Sequence, residues 1–158
     1  MLERRVQVLD DGVSNEGVET FSLVVTDINN PDSTLMTQAT IRDTPQISVD
    51  VVRVRESNGP AVVTIKLSEP STERVLVDFE TVIPRDQFNP ATAGVDYVAR
   101  RGRVTFEPGE TTQVRRITLI DDGEEEANEV FRFGLSRPRG AEIAPDSELQ
   151  RVFILNDD

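Results

Sequence analysis

Hydrophobic and polar residues alternate with a period of two along most of the chain, and almost no stretch carries the spacing of an amphipathic helix. Val63-Thr64-Ile65-Lys66-Leu67 and Val75-Leu76-Val77-Asp78-Phe79 are clean cases. Phe131-Arg132-Phe133-Gly134-Leu135 puts two rings and a leucine on one face with an arginine opposite; Val104-Thr105-Phe106 and Ile117-Thr118-Leu119 obey the same rule. Turn-forming clusters separate these runs: Ser57-Asn58-Gly59-Pro60, Glu69-Pro70-Ser71, Glu107-Pro108-Gly109-Glu110 and Arg137-Pro138-Arg139-Gly140. Short strands at this spacing predict an all-β antiparallel sandwich or barrel. Seven strands are expected, at 46–55, 61–68, 74–82, 102–107, 112–120, 129–136 and 149–155.

The first of these strands changes phase. Ile47, Val49 and Val51 share one parity, then Val52 and Val54 take the other. A one-residue slip exchanges the two faces of a strand, so either a bulge or a crossing from one sheet to the other is required, unless both faces are buried. If successive strands run in opposite senses, the first, third, fifth and seventh end at one pole. Glu56, the 83–101 loop with Asp96, the segment Asp121 to Glu126, and Asn156 to Asp158 then meet there. The other pole collects 69–73, 108–111 and 137–148, which are richer in Pro, Ser, Thr and Arg.

The chain also matches itself at an offset of about 111 residues. Arg4-Arg5-Val6-Gln7-Val8-Leu9-Asp10-Asp11-Gly12 aligns with Arg115-Arg116-Ile117-Thr118-Leu119-Ile120-Asp121-Asp122-Gly123. Glu16 to Phe21 aligns with Glu126 to Phe131, and Ile41-Arg42-Asp43 with Leu155-Asn156-Asp157. Residues 1–43 therefore read as the C-terminal half of a preceding repeat, and 44–158 as one complete copy. Such a half-copy leaves Val6, Val8, Phe21, Leu23, Val25 and Ile41 with no opposing strands. That face is expected to pack on another chain, on the complete copy, or on a segment beyond this sequence.

Composition narrows the chemistry. The chain has 158 residues, 17 basic and 29 acidic side chains and a net charge of −12. With neither Cys nor His it lacks a disulfide framework, a thiol nucleophile, a cysteine zinc site and the commonest general base. An acidic balance opposes nucleic-acid binding, and no apolar run is long enough to insert in a membrane. Cations are the natural partners. Calcium takes six to eight oxygen ligands at about 2.3–2.6 Å in flexible geometry, whereas magnesium needs a stricter octahedron. Glu56, Asp96, Asp121, Asp122, Glu126, Asp157 and Asp158 supply such oxygens at the expected pole, although Glu124-Glu125-Glu126 equally suits a solvated acidic turn.

Thr92-Ala93-Gly94-Val95-Asp96-Tyr97, then Gly102 and Val104-Thr105-Phe106-Glu107-Pro108-Gly109-Glu110, resembles the signature of the calx-β domain family. Ile120-Asp121-Asp122 with Glu126, Glu129-Val130-Phe131, and the closing Ile154-Leu155-Asn156-Asp157-Asp158 carry the same resemblance over essentially all of 45–158. It implies a seven-stranded immunoglobulin-like β-sandwich, arranged here as tandem modules. It also implies Ca2+ held by Glu56, Asp96, Asp121, Asp122, Glu126, Asp157 and Asp158. Two positions depart from the strongest binders of that family: Gly123 stands where a third acid follows the Asp pair, and Asn156 opens the closing acidic run. Both substitutions remove negative charge and imply fewer or weaker ions. Glu129 falls at an acidic position of the family and is read either as a ligand or as a residue that holds the loop.

The leading expectation is a non-catalytic calcium-binding module of a larger extracellular or cell-surface protein, with a possible role in adhesion. Calcium would stiffen the distal loops and the joints to neighbouring repeats, and 1–43 is a candidate for self-association. The alternatives are a cytoplasmic regulatory calcium sensor of a sodium–calcium exchanger-like membrane protein, or a metal-free spacer repeat. Catalysis is not expected: nothing in the sequence places a pair of acids in an apolar cleft that would raise one pKa, and the single lysine, Lys66, has no serine motif beside it. Arg100, Arg101 and Arg103 are expected to offset nearby acids.

Overall fold

The computed structural model describes residues 18–27, 30–42, 44–85, 88–123 and 125–156, and the chain divides into two units, Met1–Asp43 and Thr44–Asp158. In the first unit, β1 (Val18–Asp27) and β2 (Asn30–Arg42) form an antiparallel hairpin, with Phe21 opposite Ala39 and Leu23 opposite Thr37. Leu23 and Val24 point to opposite faces of β1, and both are exposed, as are Leu35 (67%) and Met36 (68%). The strand expected around Val6 and Val8 lies outside the described residues.

In the second unit the phase change becomes a change of sheet. β3 (Gln46–Val49) pairs with β5 (Ala61–Leu67) in one layer, whereas β4 (Val52–Arg55) joins the other layer beside β11 (Leu149–Leu155). Ile47 and Val49 thus face the core from one side and Val52 and Val54 from the other, while Val51 at the crossing is 45% exposed. The remaining strands are β6 (Val75–Val82), β7 (Arg101–Phe106), β8 (Thr112–Ile117), β9 (Glu129–Arg139) and the short β10 (Glu142–Ile143). The layers are ordered β10-β3-β5-β8 and β4-β11-β9-β6-β7. β4 and β11 run toward the same pole, so as neighbours they pair in parallel, as β10 and β3 also do; the other pairs are antiparallel.

The alternating residues meet between the layers. Val63, Ile65, Val77, Val104, Ile117, Phe131, Phe133, Val152 and Ile154 are wholly buried or nearly so. Phe79 stacks on Phe133 at 5.2 Å, and Tyr97 on Phe131 at 4.2 Å. Gly102 opposite Phe79 makes room for that ring, since a Cβ there would lie 3.1 Å from Phe79 Cε1. Two strand ends differ from expectation by more than one residue. β8 stops at Ile117 rather than 120, because Leu119 leaves the ladder to bridge Tyr97 and Ile120 N–H bonds the Asp96 carbonyl. β9 runs to Arg139 instead of 136: a bulge on β9, opposite Leu76–Asp78 of β6, absorbs Arg137, whose φ is +52°. No helix among the described residues is long and apolar enough to cross a membrane.

Candidate metal centre

The Thr92–Tyr97 motif builds one wall of the acidic pole. Gly94 adopts φ +87°, and the chain turns so that Gly94 N–H reaches the Tyr97 carbonyl and Asp96 N–H the Thr92 carbonyl. Thr92 N–H in turn donates to Asp96 Oδ2 at 2.5 Å. Tyr97 is fully buried on Phe131, and burial raises its phenol pKa. Anchored this way, Asp96 is only 5% exposed despite lying in a loop.

Glu129 opens β9 opposite Ile154 of β11, in the same phase as core-facing Phe131 and Phe133. Its carboxylate is consequently carried toward the interior. Its Oε2 is buried and has no hydrogen-bond partner. One carboxylate oxygen from each of Asp96, Glu126 and Glu129 lies within 4.8 Å of the other two. Burial comes first among the causes that push Glu129 up to about 8, followed by the hydrogen bond and the charge of Asp96, then the charges of Glu126 and Glu56. Glu56 follows β4 in a single 3-10 turn (Glu56–Asn58) and is 6% exposed.

The expected ligands divide into three groups. Glu56, Asp96 and Glu126 converge around Glu129. Asp121 and Asp122 sit at the same pole, directly after the Ile120 bond to Asp96, but are exposed and outside the tight triad. Asp157 and Asp158 lie outside the described residues, although Asn156 N–H is tied to Asn128 Oδ1 at 3.1 Å beside Glu129. Gly123 has φ +73° with open space around it, so backbone conformation rather than crowding favours glycine where a third acid would stand. Glu129, left open between ligand and loop support, is central to the triad. Its parity carried the signal: an acid in step with buried aromatics at a strand start.

Oxygens bound to one calcium ion at ~2.4 Å stand no more than about 5 Å apart, which the triad satisfies. An all-oxygen donor set with one orphaned, buried oxygen suits a hard divalent cation. Fold and site together define a β-sandwich module with an acidic cation-type pole. The Calx-beta domain model matches residues 1–45 and 38–158, and the chain belongs to the Calx-beta domain family. The sodium/calcium exchanger Calx of Drosophila melanogaster is 39% identical over 83 residues, covering 52% of this chain and 8% of that protein. Extracellular matrix protein 3 of Lytechinus variegatus is 25% identical over 97% of this chain and 5% of its own length. The crystal structure of the calcium binding domain CBD12 of CALX1.1 superposes with a TM-score of 0.63 at 30% identity, over 72% of this chain and 46% of that one. The chain thus spans a small fraction of its curated relatives.

Proposed function

We propose that the module binds Ca2+ at this pole and acts as a non-catalytic, calcium-responsive regulatory domain of a larger protein, in the manner suggested by its exchanger relatives. The observation that carries this reading is the triad itself. Asp96, Glu126 and Glu129 are held so close that, without a cation, Glu129 retains a proton up to about pH 8. Calcium would be held by these three with Glu56, and by Asp121, Asp122, Asp157 and Asp158 as the outer part of the cap. When bound, the ion supplies the positive charge that the pole lacks. The chain's own residues translate that charge into order: the 3-10 turn after β4, the Thr92–Tyr97 loop and the segment before β9 each contribute an acid. Neutralising the acids ties the three segments together and can pass the change to a neighbouring module.

In this reading 1–43 is the C-terminal half of a preceding repeat and 44–158 a complete one. A second setting, a tandem module of an extracellular or surface protein with a role in adhesion, is favoured by the matrix-protein relative, whose similarity extends over nearly the whole chain. Thermal unfolding in chelator and in calcium tests the shared core of both settings. Calcium at a hundred times its dissociation constant should stabilise the second unit by about 2.7 kcal/mol. Identical melting in both conditions leaves only the metal-free spacer.

A further inference from the structure

The turn that carries Glu56 ends on Asn58-Gly59, the one place in the chain where an asparagine precedes a glycine. An asparagine side chain can react with the main-chain nitrogen of the next residue when that nitrogen carries a hydrogen, is not shielded and is not firmly held. Asn30 and Asn89 precede prolines, whose nitrogens carry no hydrogen, and Asn15, Asn29, Asn128 and Asn156 precede residues whose β-carbons crowd the approach. Gly59 has no β-carbon, and open space surrounds the position where one would stand, at φ +85°. Its N–H reaches the Glu56 carbonyl at 3.4 Å, longer than an ordinary N–H···O bond, so the nitrogen is only weakly restrained. Asn58 is exposed at the end of a single 3-10 turn, and its side-chain amide has no hydrogen-bond partner among the described residues. Asn128, by contrast, is held through its Oδ1, which accepts from Asn156 N–H.

We infer that Asn58 is a site of spontaneous deamidation, and that its product reshapes the turn bearing Glu56. Water or hydroxide takes the proton from Gly59 N, and this nitrogen attacks Asn58 Cγ. The N–Cγ bond forms, the bond from Cγ to the amide nitrogen breaks, and ammonia leaves after taking up a proton from water. The resulting succinimide ring then adds one water. Opening at Cγ leaves aspartate; opening at the main-chain carbonyl leaves isoaspartate, whose backbone runs through Cγ and is one methylene longer. The ring has no Gly59 N–H, so the Glu56 carbonyl loses its donor, and the extra methylene prevents isoaspartate from closing the turn in the same register. Both products place a new carboxylate two residues from Glu56, which is 6% exposed and whose charge already acts on Glu129. The consequence for calcium rests on the function proposed above: this turn is one of the segments that the ion ties together, and displacing it draws Glu56 away from the other acids.

The test ages the whole chain in chelator at mildly alkaline pH and follows the tryptic peptide 56–66, in which Asn58 is the only asparagine, by mass spectrometry. Labelling by isoaspartyl methyltransferase measures the isoaspartate. This peptide should gain the mass difference between a hydroxyl and an amino group before any other asparagine-bearing peptide does, and should become a methyl acceptor. Asn58→Gln, whose longer side chain closes the ring far less readily, should stay unmodified. Isothermal titration then compares fresh and aged chain: calcium affinity should fall about tenfold in the isoaspartate form and be unchanged in equally aged Asn58→Gln. The inference is overturned if Asn58 stays intact in the folded chain while the urea-unfolded chain loses it, if other asparagines react first, or if aged and fresh chain bind calcium alike. Calcium heats missing from the fresh chain, with the mass gain at Asn58 present, refute the proposed function and leave the modification standing.

Discussion

Replacing Glu129 by glutamine keeps the shape of the side chain while removing its ability to ionise, and the structure specifies how the effect varies with pH. In the calcium-free protein Glu129 holds its proton up to about pH 8, whereas in the unfolded chain it releases it near 4.5. Between these values the folded state binds the extra proton, so the contribution of Glu129 to stability is fully present below about 4.5 and is lost as pH rises toward 8. At ~1.4 kcal/mol per pH unit that gap sets a ceiling of about 5 kcal/mol. Sharing of the proton with Asp96 and solvent screening at the mouth of the site bring the expected loss down to on the order of 2 kcal/mol. Glutamine mimics the protonated acid and does not suffer the loss. Thermal unfolding of chelator-treated protein, followed by circular dichroism, should therefore give nearly equal midpoints for native chain and Glu129→Gln at pH 5. At pH 8 the variant should melt higher, by roughly 8 °C for a domain of this size. A difference that stays the same at both pH values would refute the reasoning, because it would show that the acid does not titrate differently in the folded state.

Two further substitutions probe how the site is supported. Phe131→Ala removes the ring on which Tyr97 stacks and opens a core cavity. It should cost about 3–5 kcal/mol in denaturant unfolding and weaken calcium binding along with it, since the Asp96 loop rests on Tyr97. Gly140→Ala places a Cβ 3.2 Å from the Arg74 carbonyl at φ +76°, and about 1–3 kcal/mol of destabilisation is expected in denaturant titration. Gly109→Ala, at φ +86° with nothing nearby, should cost less.

Much of this arrangement is readable from local pattern. The parity break between Val51 and Val52 marks the crossing between sheets, because a residue's face is fixed by its place in the two-residue period. Thr92, Gly94 and Asp96 form a self-contained turn whose hydrogen bonds close within the motif, so that its sequence alone specifies it. Glu129 was partly legible: its phase with Phe131 points inward, but only the tertiary fold reveals Asp96 and Glu126 within ligand distance. The exposure of Asp121 and Asp122 was not legible. Just before them Leu119 leaves β8 to bridge Tyr97, a contact between segments distant in sequence. Nor could the pattern foresee β10 or the bulge that carries Arg137, both of which arise from pairing rather than from side-chain period.

In the proposed function, the acids of this pole give up a proton as they take up calcium. Isothermal titration of calcium at pH 7, in two buffers of different ionisation enthalpy, measures both events together. Saturable binding with release of about one proton is expected, strongly weakened in Asp96→Asn. Calcium heats that are absent, or that neither depend on the buffer nor respond to Asp96→Asn, would contradict it.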